Sequence, residues 1–370
     1  MKRVLVITPC VGTGLPTQSA LVAAHLRDAG FRVGLLTKAR SRLGRLLDVL
    51  FRAFWLIPLY DAVLIDVFGE RAFVYESFAI LCSAFWRRRS VVVLRNGMLP
   101  DFVERWSRWT KFVLSWPDSV IVPHGFLRER LATMSIRIDV VIPNFVDLDS
   151  YRYRKRSSVR PKFLYLRGMY SIYNPQMALR AFAVVQRRYP DASLTMAGRD
   201  GPELQACRRL VTELGLHQVS FVGMVPKAEI SDLAAHHDIH LHTNRLENMP
   251  VTIIEMWACG VPIVGTAVGG MPYLVRDGID AMLVTSDDHE AMAAASFKIL
   301  SDPQLAERLS VRGRARAQDL TWSRVRSMWE QALFGDAQTA HTPNRAAADA
   351  LTSPRPVEAS PDTTAIRVNS

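Results

Sequence analysis

Short apolar runs recur along this chain with helical stretches between them. Val4 to Thr8 is one such run, and a continuous apolar run marks a strand buried on both faces. Thr17 to Ala29 has helical spacing and stops at Gly30, and Arg32 to Leu36 is the next strand. Ala62 to Ile65, Val91 to Leu94 and Val120 to Val122 repeat the short run. The rhythm breaks at Ile142 to Asp149, and the polar, basic stretch Tyr151 to Arg160 reads as a linker. Strands are then predicted at Phe163 to Leu166, Ser193 to Ala197, Val219 to Val222, Ile239 to His242 and Asp280 to Thr285. Helices are predicted over Pro175 to Tyr189, Pro202 to Leu214 and Lys227 to His236. Further helices start at His289 and Pro303, and a last one spans Leu320 to Trp329 with Thr321 or Ser323 as its cap. Strands alternating with helices build parallel sheets covered on both faces. The fold class expected is α/β: two Rossmann-like, doubly wound domains facing across a cleft, where a ligand would sit.

A length of 370 residues allows two separate cores. The break in rhythm puts one domain at residues 1–148 and the other at 149–319. Residues 335–370 are rich in Ala, Thr, Ser and Pro with few apolar positions, the composition of a disordered tail. A formal net charge of +11, with a pI near 9.8, favours an anionic partner such as a nucleotide diphosphate or an anionic lipid surface. Nucleic acid has no motif behind it and is not expected. Cys10, Cys82, Cys207 and Cys259 are scattered, which suits a reducing compartment and no structural metal. The N-terminus lacks a signal peptide's apolar core, and no uncharged apolar stretch approaches membrane-spanning length. A cytoplasmic location is expected. Arg40 to Leu56 mixes arginines with Leu, Phe and Trp at helical spacing, and Trp106 to Trp116 repeats the theme with Arg105, Arg108, Trp109 and Lys111. Such helices pack on a domain or lie in a membrane interface, so contact with the inner face of an anionic plasma membrane stays open.

The candidate chemistry lies in Asn244 to Tyr273, NRLENMPVTIIEMWACGVPIVGTAVGGMPY. Glu247 and Glu255 are separated by seven residues. Asn248, Met249 and Pro250 form a loop feeding a helix, since proline is at home in a first helical turn. That helix start offers free N–H groups and a positive dipole end to an anion. Glu255 would be fixed within the helix, and Glu247 would be mobile on the loop before it. Gly269 and Gly270 would let backbone approach a diphosphate. Gly12 and Gly14 follow the first strand, where open α/β sheets place ligands, although a tight turn explains them equally well. Neither a G-x-G-x-x-G nor a Walker lysine is present. His240 and His242 share one face of a strand, but no acid or cysteine completes a tetrahedral metal site. Standing alone, the two glutamates would be ordinary solvated charges.

They do not stand alone. With its continuation ACGVPIV and GGMP, the stretch resembles the glycosyltransferase family 4 signature, in which E-x7-E precedes A-C-G-x-P-V-V and G-G-x-P. Ile142-Pro-Asn-Phe-Val-Asp147 is similar to the I-P-N-G-V-D that closes that family's first domain. The resemblance covers residues 1 to about 333 and is strongest over 163–285. It implies the GT-B arrangement, with the donor between the domains and the last helix, 320–334 here, crossing back to the first. It implies sugar transfer from a nucleotide diphosphate sugar with retention at the anomeric carbon, without cofactor or required metal. Glu247 would lie beside the anomeric carbon as the catalytic residue, and Glu255 would bond the donor's ribose. Asn248, Met249, Pro250, Gly12, Gly14, Gly198, Gly269 and Gly270 complete the donor-binding candidates, with Arg167 as the family's diphosphate arginine. The lysine that accompanies that arginine is replaced by Tyr173-Asn174-Pro175, a form one branch of the family shares. Where the family has a histidine facing the donor sugar, this chain has Arg95 and Asn96. Arg95 cannot act as a base at neutral pH, but it could bond sugar hydroxyls or an acceptor phosphate. The function expected is hexosyl transfer to a saccharide or polyprenyl-linked acceptor in polysaccharide or glycoconjugate synthesis. The alternatives are a catalytically degenerate binding subunit, which the missing lysine and histidine would suit, and a nucleotide-sugar epimerase of similar fold, which lacks this glutamate pair.

Overall fold

The computed structural model describes residues 1–8, 17–36 and 42–335, apart from the side chains of residues 42, 43, 45 and 48. Two six-stranded sheets organise it. The first contains β1 (Arg3–Ile7), β2 (Arg32–Leu36), β3 (Ala62–Val67), β4 (Arg89–Leu94), β5 (Ser119–Val122) and β6 (Val140–Val141), in the order β2-β1-β3-β4-β5-β6. The second contains β7 (Lys162–Leu166), β8 (Ser193–Ala197), β9 (Val219–Gly223), β10 (Ile239–His242), β11 (Ile263–Thr266) and β12 (Met282–Val284), in the order β12-β11-β10-β7-β8-β9. Neighbours are parallel throughout. A parallel pair needs a crossover long enough for a helix, and the polar helical stretches between the apolar runs provide it. All six residues of β3 are buried, as the continuous run predicts.

The two-residue β6 is too short a run to read from the sequence; it extends the sheet edge by pairing with Ile121 and Val122. The last strand is shorter than the run Asp280 to Thr285. Asp280 turns inward instead and accepts from the Arg276 backbone N–H at 2.8 Å and the Arg276 guanidinium at 3.0 Å. The stretch Tyr151 to Arg160 is fastened rather than loose. Buried Arg156 donates to the carbonyls of Arg154, Cys259, Ala234 and His237, and Asp238 receives both Arg154 and Arg160.

The final helix, Trp322–Phe334, packs with the first sheet's core, burying Val325, Met328, Trp329 and Leu333 there. Phe334 stacks on Phe31 at 5.1 Å and Trp322 on His25 at 4.8 Å. Thr321 sits at its cap, with the hydroxyl against Ser323 Oγ rather than a backbone N–H. The helix Arg42–Leu56 buries Val49 and Ala53 against the same core and turns Leu47, Phe51 and Trp55 outward. Residues 336–370 and the glycines Gly12 and Gly14 lie outside the described residues.

Candidate active site

Parallel strands all end on one side, so their following loops gather into one site. In the second sheet β7 delivers Arg167, β8 delivers Gly198 and Arg199, and β9 leads to Met224 and Lys227. From β10 comes the segment through Glu247 to the helix Val251–Ala258. These loops open onto a cleft of about 730 Å³. Opposite them the N-terminal domain presents Thr17 and Gln18, Phe68 after β3, Arg95 after β4 and Asn144 after β6.

Glu247 is buried and held by four donors. One carboxylate oxygen takes Arg167 Nη2, Asn244 Nδ2 and, at 3.2 Å, His242 Nε2. The other takes the Asn248 backbone N–H at 3.0 Å. Burial by itself would raise the pKa, but the Arg167 charge and the hydrogen bonds of His242 and Asn248 hold it down at about 2. Glu247 is therefore fixed in place, where a loop position before the helix had suggested mobility. Tyr173, standing where the lysine was expected, lies under the Arg167 guanidinium at 5.1 Å. Asn174 beside it adopts φ +48° and heads the helix Pro175–Arg188. Arg167 Nε is buried without a hydrogen-bond partner among the described residues.

Glu255 lies within the Val251–Ala258 helix and is also buried. It accepts from the Tyr151 hydroxyl at 2.8 Å, and Lys227 Nζ stands 3.8 Å away. Burial raises its pKa above the usual carboxylate range, against the pull of Lys227 and Tyr151. The two glutamates thus share one cleft in opposite electrostatic settings. Lys227, Arg199 and Tyr151 were not singled out from the sequence. The first two were legible by one rule, since each follows a strand at its carboxyl end.

The other candidates fall into four groups. Asn248, Met249, Pro250 and Gly198 line the cleft. Gly198, at φ +148°, runs so close to the Arg167 carbonyl that a Cβ would overlap it. Gly269 and Gly270 are not among the cleft-lining residues. A Cβ on either would strike the backbone of Glu247 or Asn248, and the Gly270 N–H donates to the Glu247 carbonyl at 3.0 Å. The pair cradles the Glu247–Asn248 loop. Arg95 reaches the cleft, but its guanidinium is engaged within its own domain by Asp66 at 2.9 Å, Asn144 at 3.0 Å and Ser19 at 2.8 Å. Asn96 shapes its own loop, donating to Phe68 O and accepting from Met98 N–H. His240 and His242 are fully buried, and His240 bonds the Leu164 carbonyl at 3.0 Å. Among the described residues no cluster of three or more His, Cys, Asp or Glu could hold a metal ion.

Residues 152–316 match the family model described as Glycosyl transferases group 1. This segment carries Arg167, Lys227, Glu247 and Glu255. Similar curated proteins include a mannosyltransferase and a glucosaminyl malate synthase. One is the GDP-mannose-dependent alpha-(1-6)-phosphatidylinositol monomannoside mannosyltransferase of Mycolicibacterium smegmatis, 31% identical over 48% of this chain and 51% of that protein. Another is the N-acetyl-alpha-D-glucosaminyl L-malate synthase of Bacillus anthracis, 26% identical over 52% of each. The chain spans about half the length of the curated relatives it matches. Solved structures extend the likeness over nearly the whole chain. Anabaena Alr3699/HepE in complex with UDP-glucose has a TM-score of 0.73 at 18% identity, covering 89% of this chain and 98% of that one. Sucrose-phosphate synthase from Thermosynechococcus elongatus has a TM-score of 0.71 at 19% identity, covering 90% and 98%. Identity this low speaks to the fold alone, and the fold is the GT-B type: two Rossmann-like domains across a cleft.

Proposed function

We propose that this protein is a retaining glycosyltransferase that moves a sugar from a nucleoside diphosphate sugar to a saccharide or lipid-linked acceptor. The observation that carries the reading is the meeting of Glu247, Glu255, Arg167 and Lys227 in one cleft. A mannosyltransferase relative that is GDP-mannose-dependent supports the donor class. In the transfer, the bond from the anomeric carbon to the diphosphate oxygen breaks and its electron pair leaves with the diphosphate. The acceptor hydroxyl oxygen makes the new bond and passes its proton to the departing diphosphate oxygen. Negative charge growing on the diphosphate meets Arg167, Arg199, Lys227 and the N–H groups heading the Val251–Ala258 helix. A metal ion is then not required, and chelation by EDTA is expected to leave turnover unchanged.

Glu247, held at about 2, is a weak base, since proton transfer is best served by a pKa near working pH. Its fixed negative charge is suited to an oxocarbenium-like centre, as in glycoside hydrolysis. Glu255, beside Tyr151 and Lys227, is placed to accept from ribose hydroxyls.

The deciding experiment is a thermal-shift screen against nucleoside diphosphates. A ligand at 100 times its Kd stabilises the folded state by about 2.7 kcal/mol. One nucleotide should raise the melting temperature in wild type and Glu247→Gln but not in Arg167→Ala. Glu247→Gln should lower turnover by on the order of 10²–10³. No shift with any nucleotide in a cooperatively melting sample would favour the degenerate binding-subunit reading.

The lipid-linked acceptor rests on a second surface. The helices Arg42–Leu56, Phe73–Phe85 and Ser107–Leu114 pack side by side. Leu47, Phe51 and Trp55 are exposed at four-residue spacing, joined by Phe85, Phe112 and Trp116 and by exposed Arg105, Arg108 and Lys111. Aromatic and basic side chains on one face suit an anionic membrane interface. Among the described residues no helix is long and apolar enough to cross a membrane. Co-sedimentation with anionic vesicles should fall with salt and be lost in the Phe51→Ser, Trp55→Ser double variant. No binding at low salt would remove the membrane from the reading.

A further inference from the structure

The transfer chemistry makes no use of His124, yet this side chain crosses from one domain to the other at the reacting loop. His124 follows β5 and caps the helix Gly125–Ala132. It is 1% exposed. Its Nδ1 accepts from the Phe126 backbone N–H at 3.1 Å. That leaves the proton on Nε2, which donates to Asn248 Oδ1 in the other domain. The Asn248 amide is thereby oriented, and its Nδ2 donates to the Arg95 carbonyl at 2.7 Å. Asn248 in turn offers its backbone N–H to Glu247 Oε1 at 3.0 Å. Next along, Asn144 Nδ2 donates to the Met249 carbonyl at 2.8 Å. The imidazole sits against Gly270, where a Cβ would overlap the ring.

We infer that His124 is a positioning residue that ties the orientation of Glu247 to closure of the two domains, acting through Asn248. This rests on the reading of Glu247 as the reacting carboxylate. When the domains meet, His124, the Arg95 carbonyl and Asn144 grip the Asn248–Met249 segment from the N-terminal side. When they part, Asn248 loses both side-chain partners together, and the backbone N–H it offers to Glu247 is no longer held in place, while the Arg167, His242 and Asn244 donors stay with Glu247. Burial keeps His124 neutral, holding its pKa down at about 4, so the Nε2 donor and Nδ1 acceptor pattern persists at neutral pH. The site is complete only in the closed arrangement, which confines the reacting geometry to the state in which water is largely displaced.

Hydrogen exchange of the full-length protein tests this without a ligand, because the Asn248 amide is protected by the Glu247 carboxylate itself. In His124→Ala, exchange over residues 244–250 should quicken by about tenfold or more, with exchange of the His289–Ser301 helix unchanged. His124→Gln keeps a donor at similar reach and should retain wild-type protection. With GDP-mannose and UDP-glucose as donor probes, His124→Ala should lower kcat while leaving KM within about twofold. Wild-type exchange in a folded His124→Ala, or equal loss in His124→Gln, would overturn the inference. Normal turnover in Glu247→Gln would instead overturn the reading of Glu247, leaving the exchange result to stand by itself.

Discussion

Glu247 and His124 are both buried titratable groups, and their surroundings drive both pKa values down for opposite reasons. Around Glu247 four donors outweigh burial; around His124 burial outweighs the help of Asn248 and Glu247. Each makes stability depend on pH in its own window. His124 falls from an ordinary 6.5 to about 4. Between those values the unfolded chain binds a proton that the folded one refuses, so stability drops as pH falls through the window. Glu247 goes from 4.5 to about 2. Its contribution is full above 4.5 and is lost as pH falls towards 2. Denaturant unfolding from pH 7 to pH 4 should therefore show a shallower decline in His124→Gln than in wild type, with the difference bounded by about 1.4 kcal/mol per pH unit. Parallel curves would show that His124 is not buried neutral.

At the scale of elements, the strands and helices followed from local pattern because each reports only its own faces. Loops were harder to read. Gly269 and Gly270 have the look of a ligand-approach pair, and nothing local distinguishes approach to a ligand from approach to another loop. The structure puts the Glu247–Asn248 backbone there. Gly269 has φ +53°, a conformation that costs an L-residue about 1–2 kcal/mol, and its Cβ would meet the Glu247 carbonyl. Gly269→Ala should lose more than about 1 kcal/mol of stability and should impair turnover with it, read by urea unfolding and donor hydrolysis. A silent variant would mean that the loop is not seated on this glycine. The expected mobility of Glu247 failed for a related reason. Chain position before a helix says nothing about donors arriving from β7 and β10.

Across the whole molecule, the last helix joins the core of the first domain although it follows the second in sequence. Trp329 is 1% exposed there. Trp329→Ala should cost about 3–5 kcal/mol. In calorimetry the loss should fall on the transition of the N-terminal domain, with the other domain's transition little moved. A uniform shift of both would show that the domains unfold as one unit. The interdomain contact between His124 and Asn248 belongs to this scale as well, for His124 carries no motif and the motif around Asn248 does not show its partner across the cleft.

The apolar rhythm by itself determined the fold class and the two parallel sheets, since strand burial and crossover geometry are local consequences of pattern. The glutamate spacing and Arg167 likewise pointed to the candidate chemistry, because their context is contiguous or nearly so. Only the tertiary structure decided what surrounds those groups. Residues 80 positions apart form the Arg167–Glu247 pair, and residues 124 positions apart form the His124–Asn248 contact. The first pair depends on strand order within the second sheet, and the second on how the two sheets are laid against each other; no short stretch of sequence encodes either. Order within a sheet likewise brings Lys227 to Glu255 and surrounds the Arg95 guanidinium with acceptors of its own domain.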